Sequence, residues 1–315
     1  MVQNPHGSFF ANIDYIDEAQ YGVTPTNPVL VWIGRVYNAK PLNKNKVATK
    51  RYLPDYSETT NRLQKFSHVK IGEEVGLQVD FFPQTGSLLT WLVSFIGGTP
   101  GAPVGDTITS RSITLTDQSA ATNKYHVYKG MIGAECTLDA PEDGVIDIKS
   151  RLIGCELSVG ATDPKGSGSH PAASAGAELR TADVSSVQMK YSSGGAMANF
   201  TDVVNGFSWK ITNTLKLAKD LNNTTSTKAV AIVPVAREMT LTLDIDYSDL
   251  GTGSATNFGI ADIRSMLPFD IKFVLDSKTY TFSSVKFPEL PYAFGPDDII
   301  GDKLTSIAVG GLAVT

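Results

Sequence analysis

Glu238-Met239-Thr240-Leu241-Thr242-Leu243-Asp244-Ile245-Asp246-Tyr247 puts an apolar side chain at every second position, and Glu74-Val75-Gly76-Leu77-Gln78-Val79-Asp80-Phe81 does the same less cleanly. Successive side chains of a strand point to opposite faces, so both stretches read as half-buried β-strands. Leu241, Leu243, Ile245 and Tyr247 form the buried face of one; Leu77, Val79 and Phe81 form that of the other. Asp244 and Asp246, with Gln78 and Asp80, fall on the opposite, polar face.

The neighbourhoods of the two strands also match. Each strand is followed by an apolar segment of helical appearance, Ser87 to Ile96 and Phe258 to Leu267, and then by further strands. Each half ends with an acidic turn between apolar residues, Asp139 to Ile146 and Phe294 to Ile300. Each strand is preceded by a long polar segment, Asn38 to Lys70 and Asn213 to Lys228. The order recurs while the residues differ, which predicts a duplicated, mainly β fold. The strand patterns Val29 to Tyr37 and Phe207 to Ile211 begin the two sets. Between the halves, Ala161 to Gly176 is rich in Gly, Ser, Ala and Pro with no apolar period, the composition of a flexible connection. The predicted division is an acidic, weakly patterned arm within 1–25, a β domain over 26–160, a connection over 161–183 and a second β domain over 184–315.

Composition narrows the function. The chain has 315 residues, 42% of them hydrophobic and 19% charged, which suits two domains with real cores. Lys and Arg number 27 against 32 Asp and Glu, giving a net charge of −5, so the molecule lacks the basic footprint of a sequence-specific DNA binder. The first ten residues hold neither a basic start nor an apolar core, so no secretory signal is expected and assembly in a cytoplasm is. The longest apolar run, Leu88 to Ile96, is about half the ~20 residues of a membrane-spanning helix, so no membrane insertion is expected. Cys136 and Cys155 lie in strand candidates either side of the first acidic turn and read as buried thiols, with a disulfide across the hairpin as the alternative.

Motifs for chemistry are scarce. His6, His68, His126 and His170 are scattered, and neither a paired-cysteine zinc spacing, a Gly-x-Ser-x-Gly elbow nor a phosphate-binding loop occurs. Asp244, Asp246 and Asp249 depart from the EF-hand spacing and read as a solvated strand face rather than a calcium site. The expectation is no enzyme, no cofactor and no metal. The charged feature that stands out is basic: Lys40, Lys44, Lys46, Lys50, Arg51, Arg62, Lys65 and Lys70 lie in the first long polar segment, which reads as a hairpin projecting from a sheet.

Several short motifs in fixed order resemble the tail tube proteins of long-tailed double-stranded DNA bacteriophages. They are Tyr21-Gly22-x-x-Pro25, the Leu/Trp-rich helix (Leu88, Leu89, Trp91, Leu92) ending at Gly97, Tyr128-x-Gly130, Phe207-Ser208-Trp209-x-Ile211, Asn213-Thr214-Leu215, and Arg237-Glu238 leading into Met239 to Tyr247. The resemblance covers most of the chain. It implies two β-sandwich or half-barrel domains, each with one short helix and a long projecting hairpin. It also implies self-assembly into stacked rings that form the hollow tail tube of the virion, with viral DNA passing through during ejection. Two domains per chain imply a homotrimeric ring with pseudo-sixfold symmetry. The implied partners are further copies of the chain, the tail tip or baseplate, the tail terminator and a tape measure protein inside the lumen. On that reading Gln78, Asp80, Asp244 and Asp246 are expected on the lumen face, and Lys44, Lys46, Lys50 and Arg51 in a ring-stacking loop that meets an acidic surface such as Glu142-Asp143 or Asp297-Asp298. The competing expectation is a two-domain adhesin or receptor-binding virion protein.

Overall fold

A computed structural model describes residues 10–51, 66–118, 122–171, 176–200, 204–218, 231–246, 266–288, 301–307 and 309–315. The strands of the first half are β1 (Phe10–Asp17), β2 (Val31–Trp32), β3 (Arg35–Pro41), β4 (Lys44–Arg51) and β5 (Phe66–Phe82). After helix α1 (Leu88–Ile96) come β6 (Gly98–Thr99), β7 (Ala102–Pro103), β8 (Arg111–Asp117), β9 (Lys124–Ala140), β10 (Asp147–Gly154) and β11 (Glu156–Gly160). The second half holds β12 (Ser186–Tyr191), β13 (Ala198–Asn199), β14 (Val204–Ala218), β15 (Ala231–Asp246), β16 (Phe269–Leu275), β17 (Lys278–Val285), β18 (Gly301–Thr305) and β19 (Gly311–Val314). The protein is mainly β, as its alternating stretches require.

One sheet runs through both halves in the order β18-β15-β14-β9-β10-β5-β3, with every neighbour antiparallel. The seam between the halves is β9 against β14, where Cys136 pairs with Ile211 and Leu138 with Trp209. A second layer covers each half of the apolar face. Over the first half it is β2-β1-β8 continued by the N-terminal part of β9 and by β11. Strand β9 belongs to both layers: Lys124 to Met131 pair with β8, and Ile132 to Asp139 pair with β10. Over the second half it is the five-stranded sheet β13-β12-β16-β17-β19.

The core lies between these layers. The first alternating strand buries Leu77, Val79 and Phe81, and the second buries Leu241, Leu243 and Ile245, all at 2% exposure or less. Helix α1 is apolar nearly all round, so it sits inside the first half rather than on its surface. Trp91 packs edge-on against Tyr15 at 5.5 Å and Phe81 at 5.4 Å between ring centroids. In the second half Trp209 takes the same role, 5.0 Å from Tyr280 and 5.1 Å from Phe282. Such aromatic pairs add about 0.5–1.5 kcal/mol each beyond the area they bury.

Several local expectations are corrected. Most of the acidic arm read over Ala11 to Gln20 is strand: β1 (Phe10–Asp17) pairs with β8 along its length, with Ile13 and Tyr15 buried. Alternation runs only from Asn12 to Tyr15, because Ile16 falls on the face of Asp14 and Asp17 on the face of Tyr15. The strand expected over Val29 to Tyr37 is broken at Ile33-Gly34, where Gly34 at φ 137 brings the backbone against the Phe82 carbonyl; β2 and β3 lie either side. The polar segment from Asn213 begins as strand: β14 continues to Ala218 and pairs with β15 down to Ala231, giving the second half its own long hairpin. Within the connection, Ser167 N–H donates to Asn27 Oδ1 at 2.9 Å and Leu30 N–H to the Ser169 carbonyl at 3.0 Å, while Leu179 is buried, donates its N–H to the Pro83 carbonyl and accepts from Ile146 N–H. Cys136 and Cys155 are free buried thiols. The helix expected from Phe258 lies, apart from Met266 and Leu267, outside the described residues, as does the turn at Phe294 to Ile300.

Candidate functional site: the polar sheet face and the two ends of its strands

The shared sheet has a second face, away from the core. Alternation along β5, β9, β10, β14 and β15 aims Asp80, Glu135, Asp139, Asp147, Thr212, Thr242 and Asp244 to it, because their neighbours in sequence fill the core. The face is not uniformly acidic. Lys40, Lys149, Arg151, Lys210 and Lys303 alternate with the acids, with Lys210 Nζ 2.8 Å from Glu135 Oε1, Lys149 Nζ 3.2 Å from Asp147 Oδ2 and Lys303 Nζ 3.9 Å from Asp244 Oδ2. Exposed pairs of this kind contribute about 0–1 kcal/mol each to stability. Their larger effect is to leave a hydrated surface on which neither sign of charge prevails.

Of the residues singled out from sequence, Gln78, Asp80 and Asp244 stand on this one face, on strands β5 and β15, which lie four steps apart in the sheet. Asp80 is not the solvated carboxylate expected. It is 5% exposed and accepts hydrogen bonds from Asn38 Nδ2 at 2.6 Å and Gln78 Nε2 at 3.0 Å. Asp246 ends the described part of β15, paired with Gly301. The interleaved basic residues were missed because they sit on β3, β10, β14 and β18, whose faces only the strand pairing fixes.

The strands carry opposite charge at their two ends. At one end β4 and β5 leave the sheet as a hairpin, from Lys44 opposite Glu74 to Arg51 opposite Phe66. Lys44, Lys46, Lys50 and Arg51 all lie on β4; the tip at 52–65 is outside the described residues. The β14–β15 hairpin leaves from the same end, since Thr212 pairs with Glu135 while Ala218 and Ala231 lie further along. At the other end the β9–β10 turn exposes Glu142, Asp143 and Gly144 beside a cavity of about 720 Å³, whose wall also includes Arg180, Val184, Asn205 and Phe207. Residues 75–82 of β5 span much of the distance, roughly 23 Å at the rise of a strand.

The motif residues prove to be joints. Glu18, 7% exposed, gathers four donors: Gly22 N–H at 2.8 Å, Gly130 N–H at 2.9 Å, and the Ser110 and Ser112 hydroxyls at 2.7 Å each. Gly130 is at φ 64, and a Cβ there would lie 2.7 Å from Cys155 Sγ and 2.9 Å from the Tyr21 ring, so only glycine fits. Asn213 donates to the Phe95 and Gly133 carbonyls at 2.9 and 2.8 Å and accepts from Arg237 Nε at 3.1 Å, tying the second hairpin to the end of α1. Asp276, in the β16–β17 turn, accepts the Gly86 N–H at 2.8 Å just before α1 begins. Burial pushes its carboxyl pKa up against the lowering effect of the Gly86 and Leu88 N–H donors. Glu18 and Asp276 carry little sequence signal, since every partner except Gly22, four residues after Glu18, is far along the chain.

Among the described residues no group of His, Cys, Asp and Glu side chains is arranged to hold a metal ion, and no helix is long and apolar enough to cross a membrane. A search of curated proteins returns no match. The family model described as phage tail tube protein matches residues 11–310, nearly the whole length over which the paired strands, the hairpins and the joints are distributed, so the chain belongs to the phage tail tube protein family and is a structural component of a virion tail.

Proposed function

We propose that copies of this chain close into rings, three to a ring, and that the rings stack into a hollow tube with the polar face of the shared sheet towards the lumen. The observation that carries this reading is the single antiparallel sheet drawn from both halves, apolar on one face and charge-balanced on the other. Bending that sheet round an axis with its covered face outward gives each chain one arc of a barrel, and closing the barrel removes the exposed sheet edges. The two halves, read as two copies of one unit, give a trimer the contacts of a hexamer.

Double-stranded DNA carries about one charge per 1.7 Å of axis, and its affinity for a protein rises with each phosphate a cation neutralises. A wall whose lysines are matched by carboxylates, as Lys210 is by Glu135, offers few such contacts and lets the genome slide during ejection. Stacking uses the opposed ends of the strands. The basic hairpin of β4 and β5 reaches the acidic turn at Glu142-Asp143 of the next ring. Family membership supports the remaining partners: the tail tip or baseplate and the terminator at the tube's ends, a tape measure protein in the lumen, and assembly in the host cytoplasm. Electron microscopy of the purified chain with light-scattering mass tests the proposal. Rings or tubes, with a soluble species near three times 33.7 kDa, are expected. A monodisperse 33.7 kDa species at high concentration, without particles on the grid, overturns self-assembly by this chain alone.

A further inference from the structure

The shared sheet ends at β3 on one side and at β15 with β18 on the other. β18 covers only part of β15. It pairs Gly301 to Thr305 with Asp246 to Thr242, and the cover stops where Ser306 N–H donates to the Leu241 carbonyl at 2.8 Å. From Ala231 to Thr240 no strand lies on the outer edge of β15 among the described residues, and β3 pairs only with β5.

These two uncovered edges stand at the same height. Following the register strand by strand, Glu238 is level with Thr212, Glu135, Arg151, Gln78 and finally Lys40. Thr240 is level in the same way with Asn38. β18 lies almost wholly beyond the heights of β3: Thr242, opposite Thr305, is level with Asp147, one step past the row that joins Leu241 to Val36, so the two strands overlap only at Thr305 and Arg35. Direction matches too. Five antiparallel steps separate β3 from β15, so the two run oppositely, whereas β18 runs parallel to β3. The regular part of the β15 edge lies between the bulge at Val235 and the start of the β18 cover. There Ala236, Glu238 and Thr240 are exposed, as Lys40 is on β3. Lys40 and Glu238 carry opposite charges at one height, and Pro41 and Pro234 sit in edges that, among the described residues, no third strand of the same chain uses.

We propose that β3 of one copy adds, antiparallel, to the Ala236–Thr240 edge of β15 in the next copy, with Lys40 facing Glu238, and that this strand addition joins neighbours within a ring. The inference rests on the ring reading and specifies its contact. Barrel closure shifts register by a fixed stagger, so the partner of Lys40 is sought over three positions.

The test is Lys40→Cys combined in turn with Ala236→Cys, Glu238→Cys and Thr240→Cys, assembled in reductant and then oxidised. Within one chain the two edges are five strand spacings apart, about 24 Å, far beyond the ~4.4–6.8 Å Cα separation of a disulfide, so any bridge joins two copies. Cys136 and Cys155 are buried. At least one pair should give a covalent ladder on a non-reducing gel that ends at the copy number of the ring, while Lys40→Cys alone stops at dimer. Assembled particles whose three pair variants all stay monomeric on the gel overturn the edge assignment and leave the ring reading standing. Wild-type protein that forms no particles removes both. Should the paired variants fail to assemble, Lys40→Glu and Glu238→Lys decide: each alone should lower ring yield several-fold and the two together restore it, and a double variant no better than the singles refutes the contact.

Discussion

Replacing Glu18 with alanine removes the acceptor on which β1, the Tyr21-Gly22 turn, β8 and β9 converge. The Ser110 and Ser112 hydroxyls can rotate towards other acceptors, but the N–H groups of Gly22 and Gly130 are fixed by the backbone. A buried donor left unsatisfied costs about 1–3 kcal/mol, so two of them give roughly 4 kcal/mol. A typical protein is stable by about 5–15 kcal/mol, so the loss is a large share. Unfolding entropy near 2.1 cal/mol/K per residue over 315 residues turns it into a melting temperature about 6 °C lower. Thermal unfolding of the unassembled chain followed by circular dichroism is the assay. Glu18→Gln keeps one oxygen to accept but brings an amide that must itself find partners, so it should fall between wild type and Glu18→Ala. A Glu18→Ala protein melting within about 1 °C of wild type would refute the reasoning, since the four distances would then not report an anchor.

Three further outcomes are expected. His170 holds Asp14 through Nδ1 at 2.8 Å and Asp163 through Nε2 at 3.1 Å; burial opposes its charge, but the two carboxylates outweigh burial and raise its pKa above 6.5. A raised pKa means stability that is present in full below about pH 6.5 and lost as pH climbs through the folded-state value, so the wild-type melting temperature should fall over that window and the decline should flatten in His170→Gln; parallel curves would count against the latch. Glu135→Gln, Asp139→Asn and Asp244→Asn together take three carboxylates, including those facing Lys210 and Lys303, off the proposed lumen wall and should slow DNA ejection, most at low salt, without preventing tubes, and unchanged ejection kinetics would remove these residues from the lumen. Neutralising Lys44, Lys46, Lys50 and Arg51 to Gln should yield rings that fail to stack, and tubes of normal length under the electron microscope would show that the hairpin charge is dispensable.

Sequence alone determined what repeats over short range. The period of two along Glu74 to Phe81 and Met239 to Ile245 named the core-facing residues correctly, because which face a strand residue takes depends only on its neighbours. The apolar run from Leu88 to Ile96 gave the helix, and the acidic turn between Asp139 and Ile146 gave the end of the sheet, for the same local reason. Strand β1 escaped because its alternation is short: Ile16 falls on the face of Asn12 and Asp14, and Asp17 on the face of Ile13 and Tyr15, so only Asn12 to Tyr15 shows the contrast, while the burial of Asp14 against His170 is a tertiary contact. The shielding of Asp80 by Asn38, the convergence of Gly22 and Gly130 on Glu18, and the interleaving of Lys149 and Lys210 among the acids were decided only by tertiary structure. Apart from the Glu18–Gly22 and Asp147–Lys149 pairs, these join residues that are distant in sequence, and the register of one strand against the next, which sets them side by side, is fixed by packing the whole sheet against its cover rather than by any stretch within it.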